Sequence, residues 1–198
     1  VEDTICGIEA FRTETGVKRI FLVAICSGCK VAIGAATRCP EIAGLVLWSA
    51  EAMGPLRVST QTARKTWHAL RQYARKLLAL ETWKKILSGR VQTHFVKKAL
   101  VTNERPQAME IRRETEWLTA FQRFRGPLLF IYGGNDPDTA TAAKGFATFC
   151  RNHGLSHEMH EIPEANHSFY SLEWSEEVMS RTERWFRAVG TGPAEGNP

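Results

Sequence analysis

The sequence predicts an α/β fold with a mainly parallel sheet flanked by helices and a helical insertion in its middle. Three observations carry that prediction. Four candidate strands, three of them apolar runs beginning with Ile20-Phe21-Leu22-Val23, alternate with stretches of helical periodicity, the order that builds parallel sheets with helices on their faces. The runs are continuous rather than alternating, as expected of strands buried on both sides. Three chemistry-bearing residues, Cys26, Asp136 and His167, each fall just past the end of an expected strand.

In chain order, a helix is expected over 3–15, a strand over 19–24, a short helix over 28–37 and a second strand over 43–48. Residues 54–125 form the insertion, whose longest helical patterns cover 62–80 and 105–123. A third strand follows over 127–132, then a helix over 139–153, a fourth strand over 157–162 and a last helix over 171–189. That helix is amphipathic, with Val178, Trp185, Phe186 and Val189 at helical spacing. Residues 191–198 are rich in Gly and Pro and read as a frayed tail. The domain organisation expected is therefore a core half carrying the first chemistry at 1–53, a basic helical cap at 54–125, and a second core half at 126–190. Trp67, Trp83 and Trp117 lie in the cap and are expected to pack, with one of them facing the pocket. No internal repeat or low-complexity tract is present.

At 198 residues and 43% hydrophobic composition, the chain is long enough for one domain with a substantial core. No stretch approaches the roughly 20 apolar residues of a membrane span, so no transmembrane segment is expected. Cys6, Cys26, Cys29, Cys39 and Cys150 form an odd set without the spacing of a secreted disulfide scaffold, which points to a reducing, cytoplasmic setting. The net charge of +5 is uneven: residues 54–125 carry 16 Lys and Arg against 5 Glu, about +11, and the remainder about −6. One reading of the basic cap is a solvated helical face. The other is a surface that attracts an anionic acyl substrate. No nucleic-acid motif accompanies the charge, so nucleic acid is not an expected partner.

The pentapeptide Ala24-Ile25-Cys26-Ser27-Gly28 joins the first strand to the small-residue helix Lys30-Val31-Ala32-Ile33-Gly34-Ala35-Ala36 and reads as a nucleophile elbow. Such a turn strains the nucleophile's backbone and demands small neighbours, which Ala24 and Gly28 supply. The usual pattern is Gly-x-Ser-x-Gly; here Ala replaces the first Gly and Cys replaces Ser. The helix N-terminus after Cys26 favours negative charge there. Downstream, Gly133-Gly134-Asn135-Asp136-Pro137-Asp138 places an acid after the third strand, and Pro163-Glu164-Ala165-Asn166-His167 places a histidine after the fourth. The order nucleophile, acid, histidine is that of the α/β-hydrolases rather than of chymotrypsin or subtilisin.

On these residues, the chain resembles the C-terminal two-thirds of an α/β-hydrolase, of the Cys-Ser-Gly elbow subgroup described as serine-aminopeptidase-like or exosortase-associated hydrolases. Segments 73–78 and 81–90 are similar to that subgroup's helical insertion. The resemblance implies a partial α/β-hydrolase fold with its N-terminal third missing, and carries Cys26, Asp136 and His167 into triad roles. It supplies no substrate and no cofactor. If the strands take the usual hydrolase order, the first is an exposed edge, and self-association through it is expected.

In the preferred mechanism, His167, held by Asp136, takes the proton of Cys26, and the thiolate attacks an acyl carbon of an ester or thioester. The Ser27 backbone N–H is one oxyanion donor. Asp138 is an alternative acid and Ser27 an alternative nucleophile. The intermediate thioester can pass its acyl group to water or to another acceptor, so hydrolase and acyltransferase both stand. Two rivals come from other classes: a thioredoxin-like dithiol oxidoreductase through Cys26 and Cys29, and a noncatalytic hydrolase relative. His157 and His160 split across the two faces of a strand, and no metal site is read from the sequence.

Overall fold

The computed structural model describes residues 1–57, 108–136 and 139–190. Residues 1–57 and 112–198 form one compact unit and residues 58–111 a second. The described elements run α1 (Glu2–Thr15), β1 (Ile20–Ile25), α2 (Gly28–Ala36), β2 (Ile42–Trp48), a 3-10 turn (Gly54–Leu56), α3 (Ala108–Phe121), β3 (Leu128–Gly133), α4 (Ala140–His153), β4 (His157–Ile162) and α5 (Leu172–Gly190). The strands form one four-stranded sheet in the order β1-β2-β3-β4. All three pairings are parallel.

Side chains alternate across the sheet as strand geometry requires. Leu45, Leu47, Leu128, Phe130 and Tyr132 enter the larger core together with Cys29, Ile33, Leu118, Phe121 and Phe146 from the helices. Val46, Leu129 and Ile131 enter the opposite core with Val178 and Trp185 of α5. β3 is buried along its whole length and β2 along most of it. The expectation of burial on both sides fails for the outer strands. Val23 and Ile25 of β1 remain 47% and 41% exposed; among the described residues no strand pairs with the outer side of β1, which is an edge of the sheet. β4 is likewise only partly covered.

α2 and α3 approach closely at Gly34, where an added Cβ would lie 3.0 Å from the Trp117 ring. Trp117 therefore packs on the helix that follows the elbow, while Trp67 and Trp83 lie outside the described residues, as does the helical pattern at 62–80. No helix among the described residues is long and apolar enough to cross a membrane.

Candidate active site

Cys26, Glu51, Asp136 and His167 each follow the C-terminal end of one of the four strands, the end at which open parallel sheets gather ligands. Cys26 follows β1 directly with φ 56°, a left-handed conformation that non-glycine residues rarely adopt. Strain of this kind costs about 1–3 kcal/mol and persists only where the surroundings impose it. Here the Cys26 N–H donates to the Trp48 carbonyl of β2 at 2.9 Å, while the Cys26 carbonyl accepts from the Cys29 N–H at 3.1 Å as α2 begins. Among the described residues, no hydrogen bond engages the Ser27 N–H, so it is available to an incoming oxygen. The expected size constraint at Gly28 is milder than the motif suggests: an added Cβ would meet only the Ala24 Cβ, at an ordinary 3.9 Å.

The acid and the histidine are brought together by a crossing of two loops. After β3, the Gly134 N–H donates to the Ile162 carbonyl and the Asn135 N–H to the Ala165 carbonyl, both at 2.9 Å. Gly133 is required for that crossing, since a Cβ there would sit 2.5 Å from the Ala165 carbonyl oxygen. Asp136 is then buried, with its Oδ2 2.7 Å from His167 Nδ1 and 2.8 Å from Thr139 Oγ1, which donates to it. The Ser49 hydroxyl donates to the His167 carbonyl at 2.7 Å and ties this loop to the end of β2. With Nδ1 held by Asp136, Nε2 is the ring nitrogen left for the nucleophile or substrate. Asp138, the other acid considered, lies outside the described residues.

Sequence reasoning missed one member of this cluster. Glu51, three residues beyond β2, joins Cys26 and His167 so that one ligating atom from each lies within 4.8 Å of the others. The Cys26 thiol donates to Glu51 Oε1 at 3.4 Å. Glu51 Oε2 pairs with Lys30 Nζ at 3.2 Å, and Lys30 also meets Glu114 at 3.3 Å. Burial opposes ionisation of Glu51, but Lys30, the Cys26 thiol and nearby His167 together hold its carboxyl below the ordinary value. The signal that would have found it was its position just past the second strand, where the same rule had already selected Cys26, Asp136 and His167.

Glu114 anchors the far side of this network from α3. Almost fully buried, it accepts the Gly54 N–H at 2.7 Å and a two-pronged contact from Arg57 at 3.0 and 2.7 Å. Cys29 is buried in the larger core, and its thiol donates to the Ala24 and Trp48 carbonyls, each at 3.4 Å. Burial, reinforced by the nearby Glu51 carboxylate, pushes this thiol well up from its ordinary value. A separate cleft of about 510 Å³, lined in part by Arg19, Arg123, Arg125 and Cys39, lies where β1, β2 and β3 begin, at the opposite end of the sheet from Cys26.

No protein-family model and no curated protein matches the chain. Solved structures do. An α/β hydrolase from the metagenome of sediments of the Mar Chica lagoon, Morocco, superposes with a TM-score of 0.54 at 16% identity, covering 94% of this chain and 69% of that one. A monoacylglycerol lipase from Paleococcus ferrophilus gives 0.56 at 20% identity over 95% and 75%. The chain has a partial α/β-hydrolase fold. An esterase from Pyrococcus furiosus gives 0.56 at 17% identity, and there the chain spans 60% of its relative's length. At such identities the likeness speaks for the α/β-hydrolase fold alone.

Proposed function

We propose that this chain is a hydrolase that cleaves an ester or thioester through Cys26, with His167 as general base and Asp136 as the group that orients it. The observation that carries this reading is the strained Cys26 at φ 56° beside a histidine whose Nδ1 is held 2.7 Å from a buried carboxylate. In that arrangement His167 Nε2 takes the thiol proton and the sulfur adds to the acyl carbon. The carbonyl oxygen turns toward the Ser27 N–H, and the leaving group departs with the proton returned by His167. Water then cleaves the acyl-enzyme; an alcohol or amine in its place would make the chain an acyltransferase. Asp136, through its contact with Nδ1, fixes the ring's tautomer and direction. A hydrolase and a lipase are among the structures of similar fold named above, an analogy of fold and not of site.

The dithiol alternative is disfavoured by Cys29, whose thiol is buried and turned to backbone carbonyls rather than poised as a resolving thiol. Cytoplasmic residence and recruitment of an anionic acyl donor by the basic segment 54–125 complete the proposal.

Turnover of p-nitrophenyl acetate and of a short acyl thioester tests it. The expected result is measurable turnover that Cys26→Ala abolishes and His167→Gln reduces by about two orders of magnitude or more. Turnover that survives Cys26→Ala, or its absence in a chain shown to be folded, would reject the assignment.

A further inference from the structure

We propose that Cys26, His167 and Glu51 form a Zn²⁺ site, and that metal bound there occupies the nucleophile and the base together. The ligand types are those zinc prefers: a thiolate, an imidazole nitrogen and a carboxylate oxygen. Bond lengths of roughly 2.0–2.3 Å in a tetrahedral site imply ligand atoms about 3.3–3.8 Å apart. Cys26 Sγ and Glu51 Oε1 already stand 3.4 Å apart, and all three ligand atoms lie within 4.8 Å of one another. Side-chain rotation of about 1 Å closes the set around an ion.

The partners around these three residues argue for a site rather than a chance cluster. Metal-binding histidines characteristically give their other ring nitrogen to a carboxylate, and ligating carboxylates are themselves held by donors. Asp136 holds His167 Nδ1 at 2.7 Å and is itself held by Thr139, which leaves Nε2 for the metal. Lys30 holds Glu51 through Oε2, while Oε1, which accepts the Cys26 thiol, turns to the ion once that thiol loses its proton. The centre is also reachable: the side chains of His167 and Glu51 are 33% and 41% exposed.

Binding forms S–Zn, N–Zn and O–Zn bonds and releases the Cys26 thiol proton to water. Thiolate and carboxylate then neutralise the two positive charges of the ion, and the fourth position is left to solvent. The inference rests on this geometry and not on the acyl chemistry. It adds to that chemistry one consequence, that zinc and acylation exclude each other.

Cobalt titration of the full chain, freed of metal with chelator, reads the site directly. One equivalent of Co²⁺ should produce a near-ultraviolet thiolate-to-cobalt band that Zn²⁺ bleaches. Cys26→Ala should remove the band, and Glu51→Gln and His167→Gln should each weaken cobalt affinity at least tenfold. Asp136→Asn should weaken it by about 10–100-fold, whereas Cys6→Ser and Cys29→Ala should leave the band in place. In the unsubstituted chain, one equivalent of Zn²⁺ should protect Cys26, but not the exposed Cys6, from iodoacetamide. Absence of the band, its survival in Cys26→Ala, or alkylation of Cys26 at an unchanged rate would each overturn the site. A cobalt band without ester turnover would uphold the metal site and count against the acyl reading; turnover without a band would do the reverse.

Discussion

Gly133→Ala probes how the fold positions the proposed base. The new methyl would lie 2.5 Å from the Ala165 carbonyl oxygen and 2.7 Å from that of Asn166, where ordinary contact begins at 3.4 Å. Both neighbours are backbone, so no side-chain rotation relieves the clash, and the loop must retreat by about 0.7–0.9 Å. His167 is the next residue. A shift of that size lengthens its 2.7 Å contact with Asp136 to about 3.5 Å, beyond a useful hydrogen bond. Misplacing a catalytic group by about 1 Å can cost a hundredfold in rate, and overpacking costs about 1–3 kcal/mol of stability. The acylation rate, followed by quenched intact-mass measurement, should fall by about two orders of magnitude, with a lower urea midpoint. Wild-type acylation together with an unchanged midpoint would refute the argument that the loop crossing at Gly133 sets the geometry of His167.

Three further outcomes are expected. Gly28→Ala should leave acylation and thermal stability close to wild type, because its methyl meets only the Ala24 Cβ at 3.9 Å; a large loss in a melting curve would contradict this. Burial works against the Glu114 charge, but Arg57, the Gly54 N–H and Lys30 outweigh it and hold the carboxyl below its ordinary value. Its ionisation therefore stabilises the fold at neutral pH, and that contribution is lost as pH falls below about 4.5 through the folded-state value. Urea midpoints measured across pH should show this acid loss in the wild-type chain and a smaller one in Glu114→Gln, which is also less stable at pH 7. β1 is a sheet edge that exposes Val23 and Ile25, so Val23→Lys should reduce self-association in light scattering; unchanged association would place the contact elsewhere.

Much of this arrangement was legible because strand periodicity and turn chemistry are local. The four strands fall within a residue of their expected positions, and the parallel sheet follows from the helices between them. Cys26 announced its strained turn through small neighbours in one pentapeptide. The edge position of β1 was expected from the usual hydrolase strand order and not from its own residues, because an apolar run looks the same at an edge as at the centre of a sheet. Glu51 was not found, since its link to Cys26 spans 25 residues and depends on β1 and β2 lying side by side. The role of Glu114 was hidden for the same reason: a glutamate on an exposed-looking helical pattern becomes buried only when Leu118 and Phe121 of that helix join the core.

Whether Cys26 is the nucleophile is decided by the intact mass of the chain after brief exposure to a short acyl thioester, with the modified peptide mapped by digestion. Nucleophilic attack by Cys26 predicts one acyl group on that residue, absent from Cys26→Ala, retained in Cys29→Ala, and decaying with time as water releases it. An adduct on Ser27 or on another cysteine, or no adduct on a folded chain, would contradict it.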